Sequence, residues 1–262
     1  KKSNINKEQN DHYLSGIFQF NSNYPLLKKN EKFNHLLKPK LSIKLNPGHS
    51  KDLSENEYKL DVNNIFNLKR ISSNETLESG MSLAYGIDYN LTNETNNTDL
   101  LSVKFANNLR LEENDDLERT NQLNAKTSNF FGEVKFSPLN FVTAKYNLST
   151  ANNLTSIIHQ NLVTEIKFDK FISTFDFQED DKNQNSYLLN KTTYKLDGTK
   201  NLSFSTRENL KTDLTEYYNI IYQYKNDCLA ASIEYQKDYY TDRDIKPSES
   251  VFLKLSIIPF GT

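Results

Sequence analysis

Tryptophan is absent from this chain of 262 residues, and cysteine and methionine occur once each. A single cysteine excludes an internal disulfide and leaves the redox compartment open. None of the four histidines, His12, His35, His49 and His159, has a second histidine or a cysteine at ligand spacing, which argues against a zinc site. Glycine is scarce, and no glycine-rich turn surrounds any serine, so the strand-turn-helix nucleophile of many hydrolases is missing. No run approaches the roughly 18 apolar residues of a membrane helix. The opening Lys1-Lys2-Ser3-Asn4-Ile5-Asn6 carries no apolar leader core, so the chain is expected to be mature, cytoplasmic or a fragment lacking its true start. An excess of one charge is missing too. Thirty-two cationic and 34 anionic side chains leave a net charge of −2, and no global field points to nucleic acid.

What is present conflicts with an ordinary soluble globule. Only 36% of residues are hydrophobic, which leans toward disorder, yet 15 tyrosines and 16 phenylalanines argue against it. A transmembrane β-barrel resolves the conflict. Each strand needs one apolar residue in two, while loops and lumen stay polar.

Period-two alternation recurs along the chain. Leu14, Gly16, Phe18 and Phe20 share a face, as do Leu41, Ile43 and Leu45, then Leu60, Val62, Phe66 and Leu68. Met81 to Tyr89, Leu101 to Leu109, Val142 to Leu148 and Leu162 to Phe168 follow the same rule. So do Phe171 to Phe177, Tyr194 with Leu196, Leu202 to Leu210, Tyr218 to Tyr224 and Leu229 to Tyr235. At the end, Val251, Leu253, Leu255 and Ile257 point one way and Phe252, Lys254 and Ser256 the other. The pattern predicts about twelve to fourteen strands and little helix. Residues 1–11 are expected to fray, Pro25 to break a ladder, and Glu112 to Leu123 to form a charged loop.

Connections in the C-terminal half are expected to alternate in length. Ser137 to Asn140, Asp169-Lys170, Asp197 to Lys200 and Lys225 to Asp227 read as short turns rich in Pro, Gly, Asn and Asp. Thr150 to Thr155, Glu179 to Ser186, Lys211 to Thr215 and Thr241 to Ser250 read as longer polar loops. In bacterial barrels short turns face the periplasm and long loops the exterior. A last strand that descends to the periplasm near the end of the chain fits the same scheme.

Few residues suggest chemistry. His159 lies near Ser156, but a structural role is favoured over a catalytic one. Asp115-Asp116 and Asp180-Asp181 read as solvated loop carboxylates rather than cation ligands. Triplets such as Asn153-Leu154-Thr155 are expected by chance in so Asn-rich a chain. Cys228 sits after a short turn, and two readings stand level: a thiol paired with a partner outside this segment, or a small buried apolar residue.

The C-terminal residues Asn226-Asp227-Cys228-Leu229, Glu234-Tyr235, Asp238-Tyr239-Tyr240, Asp242-Arg243-Asp244 and Pro259-Phe260-Gly261 resemble the end of the LptD (OstA/Imp) family of lipopolysaccharide-assembly proteins, the alphaproteobacterial version most. Tyr24-Pro25-Leu26 with His35-Leu36-Leu37-Lys38-Pro39 is similar to an upstream family stretch, with Lys38 where Glu is usual. Glu57 with Asp61 to Phe66, Arg70, Glu78-Ser79-Gly80 and Tyr85-Gly86-Ile87 resembles the next block. The resemblance implies a periplasmic jellyroll followed by a barrel of about 26 strands, of which residues 1–262 would be the C-terminal part. It implies no enzyme activity, cofactor or metal, and an outer-membrane location. The cargo would be lipopolysaccharide, leaving through a seam whose last strand carries Val251, Leu253, Leu255 and Ile257. Implied partners are outer-membrane lipid, an LptE-like lipoprotein plug and an LptA-type periplasmic bridge. Cys228 matches a cysteine that pairs with the family's N-terminal region, which raises the disulfide reading; the usual adjacent second cysteine is Leu229 here. Pro259 reads as the end of the strand, and Arg243, Lys246 and Lys254 as rim charge rather than phosphate contacts. The alternatives are another outer-membrane barrel, a porin or a barrel enzyme, and a soluble all-β binding protein. The isolated chain is expected to leave two open sheet edges and to aggregate.

Overall fold

A computed structural model of the protein describes residues 16–55, 58–71, 77–181, 184–239 and 246–257. The expectations for Leu14, His12, Glu57, Tyr240, Asp242 to Asp244 and Pro259 to Gly261 fall outside these residues. Within them the strands are β1 (Phe18–Asn23), β2 (Leu26–Lys29), β3 (Phe33–Asn46), β4 (Gly80–Asn93), β5 (Thr98–Arg110), β6 (Phe130–Leu139) and β7 (Val142–Thr150). They continue as β8 (Ile157–Phe168), β9 (Phe171–Asp180), β10 (Asn185–Lys195), β11 (Lys200–Asn209), β12 (Leu214–Lys225), β13 (Leu229–Asp238) and β14 (Ser248–Ile257). The helical content among described residues is one 3-10 turn, Asn64–Phe66.

All fourteen strands form one antiparallel sheet in which β3 to β14 neighbour one another in chain order. This is the wall of an up-and-down β-barrel. β1 and β2 share the free side of β3, paired with Lys40–Leu45 and Asn34–Leu37 respectively. Between them lies Pro25, which cannot donate to a ladder, and Tyr24 N bridges the gap to Pro39 O at 3.1 Å.

Paired residues in an antiparallel ladder share a face. The register sets Val251, Leu253, Leu255 and Ile257 beside Tyr235, Ile233, Ala231 and Leu229. Tyr235 and Ile233 in turn lie beside Ile220 and Tyr222, and these beside Phe204 and Leu202. The outer face is therefore a continuous apolar and aromatic band, and the inner face carries residues such as Ser203, Ser205, Asn219, Ser232 and Lys254. Most strands run 9 to 14 residues, enough to cross a hydrocarbon layer at a tilt.

At one end of the sheet the connections are 94–97, 140–141, 169–170, 196–199 and 226–228. At the other they are 47–79, 111–129, 151–156, 181–184, 210–213 and 239–247. The expected parity holds in direction, but β9 to β12 extend into two of the loops, and 181–184 and 210–213 are no longer than 196–199. Asn and Asp side chains brace the turns. Asp197 Oδ1 accepts from the backbone of Thr199 and Lys200, and Asp169 takes a φ of 46°.

One strand expectation fails. Leu60, Val62, Phe66 and Leu68 alternate, yet they lie in the 47–79 connection. Leu60, Val62 and Ile65 are buried there with Leu53 and Ile71, against Leu117 and Leu123 of 111–129 and against Ala84, Ala106 and Phe131 of the wall. A short apolar run can satisfy itself by folding onto a wall as readily as by joining a ladder, and periodicity alone cannot separate the two. Both long connections thus turn inward over β4 to β6. Gly86 makes room for this: a Cβ there would sit 2.4 Å from Phe105 O and 2.9 Å from the Phe66 ring.

Candidate functional site at the edge strand and the inner wall

β14 pairs with β13 and, among the described residues, with nothing on its other side. Its outward residues are more exposed than their equivalents inside the sheet: Val251 is 69% and Leu253 68% exposed, against 42% for both Ile220 and Leu202. A free ladder edge flanked by apolar side chains cannot be left in water, and in a bilayer its backbone groups require a partner. On the inner face Lys254 bonds to Glu234, whose other oxygen accepts from Asn219 Nδ2 at 2.6 Å. Outside, Tyr235 Oη donates to Glu249 at 2.9 Å. These contacts fix the last strand to the wall on one side only.

Cys228 closes the 226–228 turn, at the end where the connections are short. Asn226 Oδ1 accepts from the backbone N–H of Cys228 and of Leu229, at 3.0 and 2.8 Å. Among the described residues the thiol is exposed.

The inner wall holds an ionic knot that sequence reasoning missed. Arg70 is fully buried and forks onto Glu78, with Nε–Oε2 2.7 Å and Nη2–Oε1 2.6 Å. Its remaining donors reach Ile65 O, Asn108 Oδ1 and Ser82 Oγ. Arg110 Nη1 binds the same Glu78 oxygen at 2.6 Å, and Lys44 donates to Asn67 O. Burial alone would raise the Glu78 carboxyl, but the charges of Arg70, Lys44 and Arg110 and the Arg70 hydrogen bonds hold it down at about 2. The knot ties Arg70 and Glu78 of the 47–79 connection to Ser82 of β4 and to Asn108 and Arg110 of β5. The available signal was weak: Arg70 and Glu78 bracket a mostly polar stretch, Ile71 to Leu77, with no pattern that joins the two charges.

A second tie lies farther along the wall. Lys59 Nζ donates to His159 Nε2 at 2.6 Å, and His159 Nδ1 is 3.8 Å from Asp180. They line a cavity of about 250 Å³ with Tyr58, Leu60, Asn121 and Ser149. No hydrogen bond joins His159 to Ser156 among the described residues, so the wall-to-loop contact accounts for its geometry. Glu118, in the 111–129 connection, accepts from the Asn121 backbone at 2.9 and 3.0 Å, yet burial raises its carboxyl above the usual range. The other sequence candidates are dispersed. His35 bonds Tyr89 Oη at 2.9 Å, and Asp116 contributes its carbonyl to Leu53 N. Lys246 is exposed at the start of the last described segment, far from these ties in the chain.

The family model described as LptD, LPS transport system D, matches residues 1–174. The chain belongs to the LptD family. A search of the curated proteins finds no match. Family membership gives the chain a role in lipopolysaccharide transport at the outer membrane, and LptD proteins are barrels, as the antiparallel wall is here. The apolar outer band is accordingly the lipid face and the loop-covered polar face the lumen. The LptD family is a transport component, and lipopolysaccharide is what it transports.

Proposed function

We propose that residues 1–262 form the C-terminal part of a larger LptD barrel of alphaproteobacterial type, and that lipopolysaccharide leaves sideways along β14 into the outer leaflet. The observation that carries this reading is the edge of β14, which among the described residues has no partner beyond β13, with Val251, Leu253, Leu255 and Ile257 exposed on its lipid side. An amphipathic glycolipid needs a place where sugars stay in a polar lumen while acyl chains enter hydrocarbon. An edge that closes by few ladder bonds offers it, since parting those bonds leaves few backbone groups unpaired. In this reading Cys228 forms a disulfide with the N-terminal region, an LptE-like lipoprotein occupies the lumen, and an LptA-type bridge delivers cargo through the jellyroll. The protein acts without catalysing a covalent step.

The test is site-specific photocrosslinking in the full-length protein in cells. A photoreactive residue at Leu253 or Leu255 should yield a lipopolysaccharide adduct, and one at Ile220, inside the wall, should not. Equal labelling at the three positions would refute the seam. For the disulfide, mobility on non-reducing gels should shift on reduction, and Cys228→Ser should abolish that shift. Free alkylation of Cys228 in the mature protein would remove the claim.

A further inference from the structure

We propose that the lumenal cavity between β1, β3 and the 3-10 turn is a binding site for a phosphorylated saccharide. The inference rests on the lipopolysaccharide-transport reading and adds a subsite to it, remote in the sheet from β14. The cavity measures about 250 Å³ and is lined by Asn21, Asn23, Lys38, Lys40, Asn63 and Phe66 among others. Register places Asn21 and Asn23 beside Ser42 and Lys40 on the inner face.

Charge is uneven at this point. Lys38 lies opposite Asp88 in the ladder, but the Asp88 carboxylate is taken by Lys40. Lys104, on the other side of Asp88, turns to Glu133 at 2.8 Å and to Asn63 Oδ1 at 3.1 Å. Asp61, near in sequence, spends a carboxylate oxygen on the backbone N–H of Asn63 and Asn64. Lys38, one of the residues that line the cavity, is left with no ion-pair partner among the described residues. A lysine is a mobile point charge suited to a phosphate oxygen. The asparagine amides supply donors and acceptors for hydroxyls. Phe66, its ring centroid 5.4 Å from Lys40 Nζ, gives an apolar surface for the C–H face of a sugar. A protein partner would need a broad surface with an apolar centre, which this cleft lacks.

The experiment uses the purified full-length protein and three probes: a lipid-free phosphorylated core oligosaccharide, the same oligosaccharide after chemical dephosphorylation, and inorganic phosphate. Affinities are read by calorimetry. The phosphorylated probe should bind best, and Lys38→Gln should weaken it roughly tenfold while leaving the dephosphorylated probe unchanged, as expected for one charge-assisted hydrogen bond. Lys38→Arg should retain binding. Because Lys38 has no ion-pair partner among the described residues, the melting temperature should hold in both variants. The proposal is overturned if wild type does not prefer the phosphorylated probe or if Lys38→Gln binds it equally. It is also overturned if inorganic phosphate binds as tightly as the oligosaccharide, which would make this a bare anion site. Surface lipopolysaccharide after depletion of the protein reads the transport role separately: its loss sustains that role whatever the calorimetry gives, and its persistence would sink the role itself.

Discussion

Replacing Glu78 by alanine should release the lumenal loop without dismantling the wall. Both Arg70 and Arg110 bind the Glu78 carboxylate, and Arg70 is fully buried. Its loss leaves two guanidiniums facing each other, with Lys44 close enough to add to the repulsion. Removing one partner of a buried ion pair costs about 3–5 kcal/mol, because the surviving charge keeps its desolvation penalty and loses its compensation. No ladder bond of β3, β4 or β5 passes through the Glu78 side chain, so the cost falls on the loop's attachment. The readout is hydrogen exchange on the full-length protein at Leu53, Ile65 and Asn67, whose amides bond to Asp116 O, Asp61 O and Asn64 O. At about 1.4 kcal/mol per decade, exchange there should accelerate roughly 100-fold or more, up to the limit set by the loop's own opening free energy. Amides of β11 and β12 should not change. Acceleration under about fivefold would refute the knot as the loop's anchor, and equal acceleration across the wall would refute the separation of loop from barrel.

The same group gives a pH dependence of defined sign. Glu78 is held at about 2 against an ordinary 4.5, so its contribution is complete above about 4.5 and is lost as pH falls toward 2. Loop protection, corrected for intrinsic exchange, should decline as pH falls below about 4.5, and this decline should vanish in Glu78→Ala. Gly86→Ala should cost about 1–3 kcal/mol by driving a Cβ into Phe105 O and the Phe66 ring, seen as a lower unfolding midpoint with faster exchange around Phe66. Glu118→Gln should change stability at neutral pH by less than about 1 kcal/mol, because burial already disfavours the charge that is removed; a loss as large as that for Glu78→Ala would contradict this. Ile220→Arg, on the lipid face, should destabilise the inserted barrel by about 2–4 kcal/mol, measured by urea titration in vesicles, whereas Ser205→Arg on the lumenal face should cost far less.

Alternation by itself made most of the strands and their faces legible, though it offered a strand at Leu60 to Leu68 that does not form and no apolar row for β6. A side chain in a strand points to one side or the other, and a wall between lipid and lumen demands opposite chemistry on the two sides. Thus Val251, Leu253, Leu255 and Ile257 were legible as one apolar row, and the structure places them in register with Tyr235 to Leu229. The turns were legible for the same local reason, since Asp197 and Asn226 cap their own backbone. Tertiary structure decided the fate of Leu60, Val62 and Phe66, because a short apolar run is compatible with a strand or with a loop docked on a wall. It also decided the meaning of Arg70, Glu78 and Arg110, which are charged residues scattered over 70–110 until three elements bring them within hydrogen-bond distance. Lys38 is the subtlest case. Its charge is plain in the chain, but its lack of an ion-pair partner among the described residues follows from the competition of Lys40 for Asp88, which exists once β3 and β4 are paired.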